Sequence, residues 1–143
     1  MVATSEEIRI GQLVIRFLLE GAASGGSLAM FEFDVPASAR VPIAHSHDAY
    51  EETIYGVKGV LQWTVEGRVH QVGPGDVLCI PRGAVHRFDN TSGTDATMVG
   101  VVTPGVLSPA YFQDMAALIA AGGPPDMVKV AEVMRNHGLT PAP

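Results

Sequence analysis

The chain has 143 residues, 47% of them hydrophobic, which is one domain's worth of material with enough apolar side chains to bury a core and too many for a disordered segment. Nine bases against fifteen acids give a net charge of −6 with no Lys/Arg cluster, so the expectation is no nucleic-acid partner, and no apolar run approaches the ~20 residues that span a bilayer. A single cysteine, Cys79, rules out an internal disulfide; with an acidic N-terminus lacking a leader's charge pattern, it predicts a reducing, cytoplasmic setting.

From residue 8 to about 103 the chain reads as strand, turn, strand. The first run, 13–20, carries Leu13, Val14, Ile15, Phe17, Leu18 and Leu19, apolar on both faces, and predicts cover on both sides. A closed two-fold homodimer would supply that cover. A glycine-rich turn at 21–26 leads to a strand at 27–35, and a turn at 36–40 follows. Further strands are predicted at 53–57, Leu61–Val65, Arg68–Val72, Val77–Ile80, 85–89 and 96–102. Glu66-Gly67 sits between two of them at hairpin spacing. So many short strands, closely spaced, predict a sandwich or barrel over residues 1–104.

After Pro104-Gly105 the period changes. Phe112, Met115, Ala116 and Ile119 recur at helical spacing within 108–121, and Gly122-Gly123 stops the run. Pro124-Pro125-Asp126 opens a second helix with Met127, Val130, Ala131 and Met134 on one face and Gly138 beyond its end. Helices this short cannot bury their stripes alone. Residues 105–143 are therefore expected as a helical tail packed on the barrel or on a partner subunit.

The residues suited to chemistry fall in two clusters. His45-Ser46-His47 places two imidazoles on one face of an extended strand, Glu51-Glu52 follows at once, and His86 comes almost forty residues later. Neutral imidazoles with a carboxylate suit a transition metal, although an isolated H-x-H is also the pattern of a surface pair. Tyr50, Ile54, Gln62, Trp63 and Phe88 are weaker candidates for a substrate pocket. Cys79, inside Val77-Leu78-Cys79-Ile80, is expected as a buried, inert thiol. His70 is expected on the exterior, and His137 at a helix end in a structural role.

Residues 45–59, H-S-H-D-A-Y-E-E-T-I-Y-G-V-K-G, and 75–90, G-D-V-L-C-I-P-R-G-A-V-H-R-F-D-N, resemble the two motifs of the cupin superfamily, H-x-H-x(3,4)-E-x(6)-G and G-x(5)-P-x-G-x(2)-H-x(3)-N. Gly75, Pro81, Gly83, His86 and Asn90 match the second, and His45, His47, Glu52 and Gly59 match the first; Ala39 stands where the family usually opens with Gly. The resemblance implies an all-β fold, a single cupin (double-stranded β-helix, jelly-roll) barrel. It implies one divalent transition metal (Fe, Mn, Ni, Zn, Co or Cu) held by His45, His47, Glu52 and His86. The count to Gly59 favours Glu52, and Glu51 is the alternative. Gly122-Gly123-Pro124-Pro125 and Arg135-Asn136-His137-Gly138-Leu139-Thr140-Pro141 are similar to the tail of quercetin-dioxygenase-type small cupins.

The implied function is a metal-dependent enzyme acting on a small organic substrate. A dioxygenase-like oxidoreductase for an enol or aromatic compound is the first reading, with Glu52 available as acid or base. Two others stay open: a non-catalytic module binding a small ligand or metal, and a cupin isomerase or lyase. A sugar-phosphate pocket would want several cations, and only Lys58, Arg68, Arg82 and Arg87 lie near the motifs.

Overall fold

The computed structural model describes residues 5–39 and 41–143; residues 1–4 and Arg40, which closes the expected 36–40 turn, lie outside them. Two antiparallel sheets face one another as a jelly roll without closing into a continuous hydrogen-bonded ring. One sheet has six strands: β1 (Glu6–Ile10), β2 (Leu13–Leu19), β3 (Ala29–Val35), β10 (Ala96–Thr103), β5 (Glu51–Lys58) and β8 (Val77–Ile80), in that spatial order. The other has five, in the order β11 (Leu139–Pro141), β4 (His45–His47), β9 (His86–Asp89), β6 (Leu61–Val65) and β7 (Arg68–Val72).

Period-two alternation builds the core. Ala29, Phe31, Phe33 and Val35 of β3 point inward beside Ala96, Met98 and Val102 of β10. Phe33 then crosses to the opposite sheet, meeting Trp63 edge-on at 6.2 Å and Phe88 at 5.7 Å between ring centroids. The expected hairpin joins β6 to β7: Glu66 at φ 48° and Gly67 at φ 77° are both left-handed, as a two-residue primed turn requires.

Three features differ from expectation. β1 is an added strand, and it covers β2, which is therefore interior rather than an edge. Nor is β2 apolar on both faces: Leu13, Ile15 and Phe17 point inward, while Arg16 on the outer face reaches Glu32 and Asp34 of β3 at 2.7 Å. The tail, finally, is not wholly helical. Helix α1 (Pro109–Ala120), capped by the Ser108 side chain, lays Phe112 against Phe31 at 5.2 Å and Phe17 at 6.1 Å. Helix α2 (Met127–Asn136), capped by Asp126, is followed by β11, which returns to pair with β4. Among the described residues no helix is long and apolar enough to cross a membrane.

Candidate metal centre

β4 is only three residues long, and it is held between two partners. His45 pairs directly with His86 of β9, while on its other side His45, Ser46 and His47 face Pro141, Thr140 and Leu139 of β11. The turn carrying the second cluster is tied to the first: the Gly83 N–H donates to the His47 carbonyl at 2.8 Å, from a left-handed backbone (φ 83°) that glycine adopts without strain.

The result is a cluster of three buried imidazoles. Ring centroids lie 5.2 Å apart for His45 and His47, 4.7 Å for His45 and His86, and 4.6 Å for His47 and His86; one nitrogen from each falls within 4.8 Å of the others. The Nδ1 atoms of His45 and His86 lie 2.8 and 2.9 Å from the carbonyls of Ile43 and Ala84. A carbonyl can only accept, so these Nδ1 atoms carry the proton and each Nε2 keeps a bare lone pair. His47 Nδ1 is buried with no hydrogen-bond partner among the described residues. Burial above all, and then the neighbouring rings, push His45 down to about 4 and His47 to about 2, and burial also lowers His86. All three are neutral near pH 7, the state a metal ligand needs.

The two adjacent carboxylates take opposite directions, as alternation along β5 demands. Glu52 shares the inward face with Ile54 and Gly56, is 7% exposed, and is pushed up to about 7 by burial. Glu51 turns outward and accepts from Arg82 Nε at 2.6 Å, which holds its carboxyl below the usual range. Two oriented Nε2 lone pairs beside a third neutral imidazole fit a divalent cation; the Glu52 carboxyl is buried in the same cavity but is not part of the group whose ligand atoms lie within 4.8 Å of one another.

The cluster lines a cavity of about 450 Å³. His45, His47, His86 and Glu52 are among its lining residues, and the rest is almost entirely apolar. Of the weaker pocket candidates, Trp63 and Phe88 line the cavity. Tyr50 does not: it lies flat on His47 at 4.5 Å, with its hydroxyl sealed and unpartnered. Ile54 is fully buried in the core, and Gln62 turns outward to accept from Gln71 Nε2 at 3.1 Å. Reasoning from sequence missed the tail's share of the wall, including Tyr111, Met115, Met134 and Leu139. The helical periodicity marked the apolar stripe but not what it would face.

Outside the site, Cys79 is exposed, contrary to expectation: it sits on the outer face of β8, an edge strand. Four consecutive apolar residues conceal which alternate pair turns inward. His70 is exposed, and His137 closes α2 with its Nε2 2.8 Å from Asp114. The Asn90 side chain donates to the carbonyls of Val35 at 2.9 Å and Thr94 at 2.7 Å, holding the turn after β9.

A family model described as "Cupin domain" matches residues 31–102. Quercetin 2,3-dioxygenase of Bacillus subtilis (strain 168) is 26% identical over 106 residues, covering 74% of this chain and 31% of that protein, so the chain spans about a third of its relative's length. A crystal structure of a "predicted oxalate decarboxylase" from Thermotoga maritima superposes with a TM-score of 0.64 at 22% identity, over 73% of this chain and 98% of the other. A sugar phosphate isomerase from a cupin superfamily, from Silicibacter pomeroyi, does so with a TM-score of 0.53 at 25% identity, over 62% and 59%.

Proposed function

The chain belongs to the cupin domain family, and on that premise we propose that it is a metal-dependent enzyme for a small organic substrate, an oxidoreductase of the dioxygenase type. One observation carries the proposal: three neutral imidazoles cluster in the wall of an apolar cavity that the buried Glu52 also lines. His45, His47, His86 and Glu52 would hold one divalent transition metal. Such an ion, when bound, supplies a Lewis-acid centre with open positions for substrate oxygens.

The protein's own groups supply the rest. Carbonyls of Ile43 and Ala84 fix two imidazoles in one tautomer, so that their lone pairs need no reorganisation. Glu52, close to neutrality in its protonation, is suited to take or give a proton at a substrate oxygen. The apolar walls exclude water and favour a substrate with an aromatic or enolic body. The curated relative, a quercetin dioxygenase, supports that class. A phosphate-bearing substrate is disfavoured, because no Lys or Arg among the described residues lines the cavity. We further propose that the enzyme works in the cytoplasm as a two-fold dimer. Support for the dimer lies on the outer face of the six-stranded sheet, where Tyr55, Val57 and Val77 are exposed together.

Metal removal tests the centre. A metal at a hundredfold excess over its Kd stabilises the folded state by about 2.7 kcal/mol, so chelation lowers the Tm and His47→Ala abolishes the difference. Identical melting curves with and without chelator would sink the metal centre. Substrate-dependent oxygen uptake with enols and flavonols then separates a dioxygenase from a binding module or an isomerase, which consume none.

A further inference from the structure

Beyond the four candidate ligands, the cavity wall carries few polar side chains. Gln12 belongs to the exposed turn between β1 and β2, and the indole nitrogen of Trp63 is sealed without a partner. Tyr111, in the first turn of α1, is different. It is 6% exposed and lines the same cavity as the candidate ligands.

Its ring is clamped rather than merely buried. Phe112 meets it edge-on at 5.1 Å and His137 at 5.6 Å. His137 is itself fixed by Asp114 at 2.8 Å, so the ends of both helices brace one aromatic ring. The backbone N–H of Tyr111 is spent on Ser108, and no protein group among the described residues engages its hydroxyl. Burial, and after it the charge of Glu52, raise the hydroxyl's pKa, so it remains a protonated donor within the electrostatic reach of Glu52.

We propose that Tyr111 is a substrate-binding residue, whose hydroxyl donates a hydrogen bond to an oxygen of a substrate seated in the cavity that His45, His47, His86 and Glu52 line. This rests on the metal-site reading above, and adds to it a specificity element supplied by the C-terminal tail. The ligand it selects has an apolar, aromatic-sized body with one oxygen for the centre and another for the tyrosine. A braced ring makes the donor pre-organised, so little rotamer freedom is lost on binding.

The test uses full-length protein loaded with Co(II), and two probes. 4-Nitrocatechol carries an aromatic body with oxygens at both ends; azide, only three atoms long, reports the metal alone. Tyr111→Phe keeps the ring and its packing. It is expected to weaken 4-nitrocatechol about tenfold, the scale of one lost hydrogen bond, with azide affinity, metal content and Tm unchanged. Equal 4-nitrocatechol affinity in Tyr111→Phe and the unsubstituted protein would overturn the assignment and leave the metal centre standing. A protein that takes up no Co(II) would overturn the metal centre, and the role of Tyr111 with it.

Discussion

Every candidate ligand in the cavity comes from residues 45–86, carried on β4, β5 and β9; much of the remaining wall comes from α1, α2 and the turn between β1 and β2. The candidate ligands are placed by backbone. Alternation along three residues aims two imidazoles together, a cross-strand register brings the third, and the parity of β5 decides which of two glutamates enters. The tail's wall is set by side-chain packing alone, through stripes of Phe112, Met115 and Met134 that could take other apolar residues of similar volume. What the contrast teaches is a division of labour: the strands hold the chemistry, and the tail shapes what reaches it.

One residue breaks that division. Leu139 belongs to the tail in sequence and to the histidine cluster in space, since it is 2% exposed and pairs with His47. β4 meets β9 at a single registered pair, whereas β11 supplies three. Leu139→Ala is therefore expected to cost about 2–5 kcal/mol, the range for truncating a buried leucine, and also to weaken metal retention by loosening β4. Chemical denaturation and metal titration read the two effects separately. A variant that is destabilised but holds its metal as tightly as before would show that β11 supports the fold without positioning the ligands.

The histidine cluster was largely legible because it depends on residue identity at close spacing. His45-Ser46-His47, the parity of Glu52 and the Pro81-Arg82-Gly83 turn before His86 each carry a local reason for their geometry. Phe31 and Phe33 in β3 were equally readable, through alternation with half-buried neighbours. β1 was not, because Glu6-Glu7 opens it with charge and only Ile8 is fully buried. β11 could not be read locally either: Leu139-Thr140-Pro141 contains a proline and becomes a strand only by meeting β4, far away in the chain. The helical stripe was visible, but periodicity does not name the surface it covers.

A second prediction sharpens the contrast by titration. The strongly perturbed histidines and Glu52 all line the cavity, so the metal-free protein's stability near neutral pH should respond mainly there. His45 and His47, held below the ordinary 6.5, stay neutral while the unfolded chain protonates, so stability is lost as pH falls from about 6.5 toward their folded values of about 4 and 2. Glu52 acts in the opposite sense: raised from 4.5 to about 7, it removes stability as pH climbs through that interval. More than one histidine opposes a single glutamate, so the net slope between pH 4.5 and 6.5 is positive, on the order of 1 kcal/mol per pH unit. Melting the chelated protein across this range checks it, and His47→Ala should flatten the slope. A stability independent of pH there would mean that the imidazoles are not buried neutral.

The smallest effect is expected at a residue belonging to neither region. Val77-Leu78-Cys79-Ile80 is apolar throughout, yet β8 pairs on one side only, with β5, and its parity sends Ile80 inward at 1% exposed and Val77 outward at 65%. Cys79 follows Val77 onto the outer face, opposite Thr53. A maleimide should therefore label one thiol per chain without denaturant, leaving metal content and Tm within error of the unlabelled protein, because no cavity wall or buried contact is touched. The same reagent reads the proposed dimer. Two copies joined across Tyr55, Val57 and Val77 would shield Cys79, so labelling would be fast in dilute protein and slow at concentrations where light scattering gives twice 15.0 kDa. Equal labelling rates in monomer and dimer would move the interface away from this face, and a mass of 15.0 kDa at every concentration would remove the dimer altogether.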